Sequence, residues 1–157
     1  MATPSEKLAE SLEVLHKLQN ANGAAAIRAR DLTRTHRERL LKNGFLQEVM
    51  KGWYIPSRPD DGKGESTAWY ASFWRFAAAY LDYRFRETWS LSPEQSLSIH
   101  VGNGAVPRQM AVRSPKGTNS VTKLPHRTSL FDLQAALPPS ADRVEGMGCA
   151  CTDWSLR

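Results

Sequence analysis

Residues 32–55 read LTRTHRERLLKNGFLQEVMKGWYI, and two periodicities meet in them. Over Leu32 to Lys42, Leu32, Leu40 and Leu41 can face the core while Arg34, Arg37, Arg39 and Lys42 project elsewhere, the pattern of a basic helix. Asp31 is the expected N-cap, and Asn43-Gly44 ends the helix. Phe45, Val49, Trp53 and Ile55 then have strand character. Lys51-Gly52 between them supplies a tight turn whose glycine can take positive φ. A helix followed by a two-strand hairpin is therefore expected.

Charge is concentrated in the same place. Of a net charge of +5, the 36 residues Gly23–Arg58 carry eight Lys/Arg against three Asp/Glu, while the other segments nearly cancel. Such a patch calls for an anionic partner, and a basic helix followed by a hairpin is the local layout of a winged helix. In that arrangement the third helix enters the major groove of DNA, where arginine can bond guanine O6 and N7 and shorter polar chains meet phosphate. Arg34 and Arg37 are assigned to bases, and Thr33, Thr35, Arg39 and Lys42 to phosphates. Lys51 and Arg58 reach the backbone or minor groove from the wing. The alternative is a solvated helix face that binds nothing; the hairpin beside it favours the DNA reading.

Towards the N-terminus, Thr3, Pro4 and Glu6 make a capping box with proline at the first helical position. Leu8, Leu12, Leu15 and Leu18 follow at spacings of four and three, a core stripe on a helix that Asn20, Asn22 and Gly23 bring to an end. AAAIRA, after Gly23, can be a helical turn or a short strand. Towards the C-terminus, PSRPDDGKGE (56–65) reads as a linker. Ser66 then caps a helix in which Trp69, Phe73, Phe76, Tyr80 and Tyr83 form one aromatic stripe, with Tyr70, Trp74, Ala77 and Leu81 on its flank. Core packing is favoured over a base-stacking platform. A strand within Glu87–Leu91 precedes a short helix, Pro93–His100, opened by a Ser92/Gln95 capping box. Strands are expected at Gln109–Val112, Ser120–Leu124 and Ser129–Leu133. The fold class is α+β: an N-terminal winged helix-turn-helix over residues 1–57, a small mixed α/β domain over 66–145, and an irregular tail over 146–157.

The pieces of an enzyme are scarce. There is no Walker A lysine, no H-E-x-x-H, and no nucleophile elbow. His100-Val101-Gly102-Asn103-Gly104 lacks the phenylalanine and the arginine of the Fic transferase signature. His16, His36, His100 and His126 do not cluster in sequence, and Cys149-x-Cys151 has no second ligand pair, so reduced thiols in a loose tail are expected and no metal or other cofactor. The longest apolar-rich run, Ala68–Leu81, is broken by Arg75 and too short to span a bilayer. The acidic, amphipathic N-terminus does not read as a secretory signal, so a cytoplasmic location without membrane attachment is expected.

The run LLKNGFLQEVMKGWYIP, with Leu40, Gly44, Leu46, Gly52 and Tyr54, resembles the winged-helix segment of AbiEi-type antitoxins of bacterial abortive-infection systems and related regulators. LSPEQSLSIHVGNGAVPRQMAVRSPKGTN followed by KLPHRTSLF is similar to the domain after the wing in that family, and in proteins where it precedes a Fic domain. The resemblance spans roughly Ala26–Leu137. It implies a non-enzymatic transcriptional regulator or antitoxin of a toxin–antitoxin system, binding double-stranded DNA at its own promoter and neutralising a cognate toxin or docking a partner protein. A dimer on a symmetric operator goes with that reading. The chain departs from the pattern in two places: few residues are left for a second helix before Asp31, and GMGCACTDWSLR reads as a truncated end. The competing expectation is a protein-interaction module, such as a mobile-element-encoded inhibitor of a host nucleoprotein defence complex.

Overall fold

The computed structural model describes residues 1–22, 26–62 and 65–152 of the chain. It is α+β and divides into two compact units, Met1–Ser72 and Phe73–Arg157.

The first unit begins with helix α1, Pro4–Asn22. Its capping box forms as the sequence demands: Thr3 N donates to Glu6 Oε2 at 2.6 Å, and Glu6 N to Thr3 Oγ1 at 3.2 Å. Strand β1, Ile27–Arg28, follows, then a single 3₁₀ turn, Ala29–Asp31, and helix α2, Arg34–Lys42. Of the alternatives for AAAIRA, Ile27–Arg28 is thus a strand. Asp31 does not cap α2. Its carboxylate accepts from Arg28 N at 2.9 Å and closes the 3₁₀ turn, leaving Thr33 as N-cap, with Thr33 Oγ1 accepting from His36 N at 3.3 Å. A threonine one residue from the first helical position suits the role as well as aspartate does, and the turn claims Asp31 first.

Strands β2, Leu46–Met50, and β3, Trp53–Pro56, form the expected hairpin, with a bulge between Glu48 and Met50. Gly52 in its turn has φ +85°, a conformation that favours glycine. The three strands pair antiparallel in the order β1-β3-β2. Leu15, Ile27, Leu32, Leu40, Leu46 and Tyr54 make the core of this unit, with Leu12, Leu18, Leu41 and Phe45 packed against it.

Residues 56–61, read from sequence as linker, are tied to the hairpin. Ser57 N donates to Phe45 O, Ser57 Oγ to Gly44 O, and Pro59 lies so close to Gly44 that a Cβ there would come within 3.0 Å of its Cα. The division between units accordingly falls later than residues 56–65, within helix α3, Thr67–Phe85. The buried positions of α3 follow the row Trp69, Phe73, Ala77, Leu81 and Phe85, with Trp74 and Phe76 beside it. Tyr83, placed on the stripe from sequence, is about half exposed. Steps of four advance the face by about 40° each, so the buried row winds about 160° round the helix between Trp69 and Phe85 and leaves Tyr83 behind.

In the second unit a four-stranded sheet has the order β4-β5-β7-β6: Ser90–Leu91, Gln109–Ser114, Ser129–Gln134 and Ser120–Lys123. Its central pair, β5 and β7, is parallel and the flanking pairs are antiparallel. Met110, Val112, Ser114, Leu130 and Asp132 share its buried face. Helix α4, Pro93–His100, starts at Ser92, whose Oγ accepts from Gln95 N. A hairpin of β8, Arg143–Gly146, and β9, Cys149–Thr152, completes the unit.

That hairpin corrects the irregular tail. Cys149 and Cys151 alternate inward on β9 and are buried, and Ser90 Oγ donates to Ala150 O at 3.3 Å. The thiols are core side chains of a strand and not part of a loose end. No helix among the described residues is long and apolar enough to cross a membrane.

Candidate nucleic-acid interface

Helix α2 has a fastened face and an exposed one, and its side chains divide between them. Leu40 is fully buried on the inner face. Flanking it, Arg37 Nη1 donates to Ala29 O at 2.8 Å, which holds the 3₁₀ turn against α2. Arg39 Nη1 donates to both Lys7 O and Ser11 Oγ at 2.9 Å, and Ser11 Oγ pairs with His36 Nδ1 at 2.8 Å. These contacts fasten α1 to α2. Arg37 and Arg39, assigned from sequence to base and phosphate, each commit part of the guanidinium to the fold.

The outer face carries Arg34, Thr35, Glu38 and Lys42, all exposed. Arg34 Nε donates to Glu38 Oε1 at 2.7 Å, one helical turn away. This hydrogen bond and the attraction of the charges raise the Arg34 pKa and lower that of Glu38. Because both groups are solvent-exposed, the pair is weak enough to exchange for another partner. Thr33 has its hydroxyl engaged as N-cap and stands at the amino end of this face.

Lys51 is exposed at the hairpin turn, whose position is fixed by Ala29 N donating to Gly52 O at 2.9 Å. Arg28 lies over the Trp53 ring, its guanidinium carbon 5.6 Å from the centroid. Arg58 lines a separate groove of about 460 Å³ with Gln19, Asp61 and Thr67. A larger groove, about 530 Å³, is lined by Thr35, Arg39 and Lys42 together with Lys7, Ser5, Glu38 and Asn43. Lys7 and Gln19 are about 18 Å apart at the helical rise per residue, so the two grooves are separate.

The structure thus brings Thr35, Arg39 and Lys42 to one groove, leaves Arg34 beside them, and sets Arg58 apart. Lys7 escaped sequence reasoning because it belongs to an acidic helix and reaches this groove only through tertiary packing. Glu38 was visible as the lone acid of the basic helix. Among the described residues no group of three or more His, Cys, Asp or Glu could hold a metal ion. No family model, curated protein or solved structure matches the chain.

Proposed function

We propose that the first unit is a winged-helix module that binds duplex DNA, within a transcriptional regulator or antitoxin. The supporting observation is the combination of a β1-β3-β2 sheet with a helix α2 whose outward face is free of core duty and carries Arg34, Thr35 and Lys42. A single 3₁₀ turn, Ala29–Asp31, stands where a full second helix would be. In this reading the Arg34 Nη1 and Nη2 atoms bond guanine in the major groove while Nε stays on Glu38. Thr35 and Lys42 meet phosphate, and Lys51 approaches the backbone from the hairpin.

The test is fluorescence anisotropy of the purified chain on its own upstream DNA and on random duplex, across a salt series. An upstream preference that Arg34→Ala relaxes supports the reading. Affinity equal on all duplexes, or unaltered by Arg34→Ala, overturns the regulator.

A second reading, an inhibitor that docks on a host nucleoprotein complex, is favoured by one observation in the second unit. Val121 and Leu133 are exposed on the sheet face that also carries Phe131, at its β6 edge. Stoichiometric capture of one protein complex, lost in Val121→Asp and with no preferred duplex, is its signature.

A further inference from the structure

The groove between the first turns of α1 and the outer face of α2 is built from opposite sides. Lys7 lines it from α1, and Thr35 and Lys42 line it from α2. Its width is set by attachments between the two helices: Arg39 holds Lys7 O and Ser11 Oγ, and His36 holds the same Ser11 hydroxyl. The Lys7 side chain takes no part in that attachment, since only its carbonyl is used.

Lys7 and Lys42 have no ion-pair partner among the described residues. The one carboxylate on the groove, Glu38, is engaged by Arg34 at 2.7 Å. The amides at the start of α1 are largely taken by the capping box, so an anion entering here meets side chains. Two ammonium groups and a hydroxyl around an open groove, with the local acid already paired, make a seat for a tetrahedral anion.

We infer that this groove holds one backbone phosphodiester of the duplex entered by α2, with Lys7 and Lys42 supplying the charge and Thr35 a hydroxyl donor. The inference rests on the proposed DNA reading and adds α1 to the interface, which sequence confined to the basic helix and the wing. Lys7 is a phosphate-binding residue in this scheme, and it carries no sequence preference.

The experiment is a salt titration of duplex binding by the full chain, comparing wild type with Lys7→Ala, Lys42→Ala and Lys17→Ala. Lys17 pairs with Glu13 on the exposed side of the same helix, so its loss removes an equal charge outside the groove. Lys7→Ala and Lys42→Ala are each expected to reduce the slope of log affinity against log salt by about 0.4 to 0.5, and together by the roughly 0.9 of one phosphate, equally on preferred and random duplex, with Lys17→Ala unchanged. Circular dichroism checks that each variant is folded. A Lys7→Ala slope equal to that of Lys17→Ala overturns the groove while wild-type binding stands. Failure of the wild type to bind any duplex overturns the groove and the DNA reading together.

Discussion

Asp132 is fully buried, yet it is held as a carboxylate. Burial alone raises its pKa, but Thr118 N at 2.6 Å, Thr118 Oγ1 at 2.9 Å and Arg84 Nη1 at 3.2 Å outweigh that and leave it below the usual carboxyl value. A pKa depressed on folding contributes stability that is present above the unfolded value, about 3.9, and is lost as pH falls through the folded one. The urea midpoint should therefore hold down to about pH 5 and drop below about pH 4. Asp132→Asn, which weakens the acceptor shared by Arg84 and Thr118, should cost roughly 1–3 kcal/mol at neutral pH and flatten that profile. Cys149 is the opposite case. Burial pushes its thiol up to about 12, so a maleimide or disulfide reagent at pH 8 should label it only after denaturant is added. Rapid labelling of the native chain would contradict the buried strand. Neither residue announced its role in sequence: an aspartate in SLFDLQ and a C-x-C near a Gly-rich turn look like surface and tail until the neighbouring strands are in place.

At the level of elements, the local signals were legible and the tertiary ones were not. The Thr3/Glu6 box, the Ser92/Gln95 box and the Lys51-Gly52 turn were visible because each is decided by residues within a few positions of one another. Thr33 was missed as a cap because Asp31 competes for the same role, and only the 3₁₀ turn shows which of the two is taken. The division of α2 into a fastened side and a free side was hidden, since Lys7 and Ser11 are about thirty residues away from Arg39. Arg39→Ala should lower stability by about 1–3 kcal/mol, because it releases two acceptors that join α1 to α2. Arg34→Ala should leave the denaturation midpoint where it is. Urea unfolding followed by circular dichroism checks both. A loss of binding in Arg37→Ala or Arg39→Ala consequently has to be read alongside their stability.

For the whole molecule, the concentration of charge in residues 23–58 makes salt the most informative variable. Lys7 and Lys42 on one phosphate and Lys51 on another would give a slope of roughly −2 in log affinity against log salt, or about a tenfold loss between 50 and 200 mM. A slope near zero would remove the basic face from any nucleic-acid interface. The order of charges and periodic patterns along the chain disclosed that bias and the α+β class; the point of division between the units, inside a helix, it did not, because helical periodicity runs straight through it. The sheet orders carry a further consequence for synthesis. The first unit closes over spans of at most about thirty residues, β1 on β3 and α1 on α2, whereas the second needs β7 to slot between β5 and β6 and Ala150 to meet Ser90 sixty residues earlier. Local pairings form early and long-range ones late. On the ribosome the basic module can reach its native shape while the strands that complete the second unit are still untranslated.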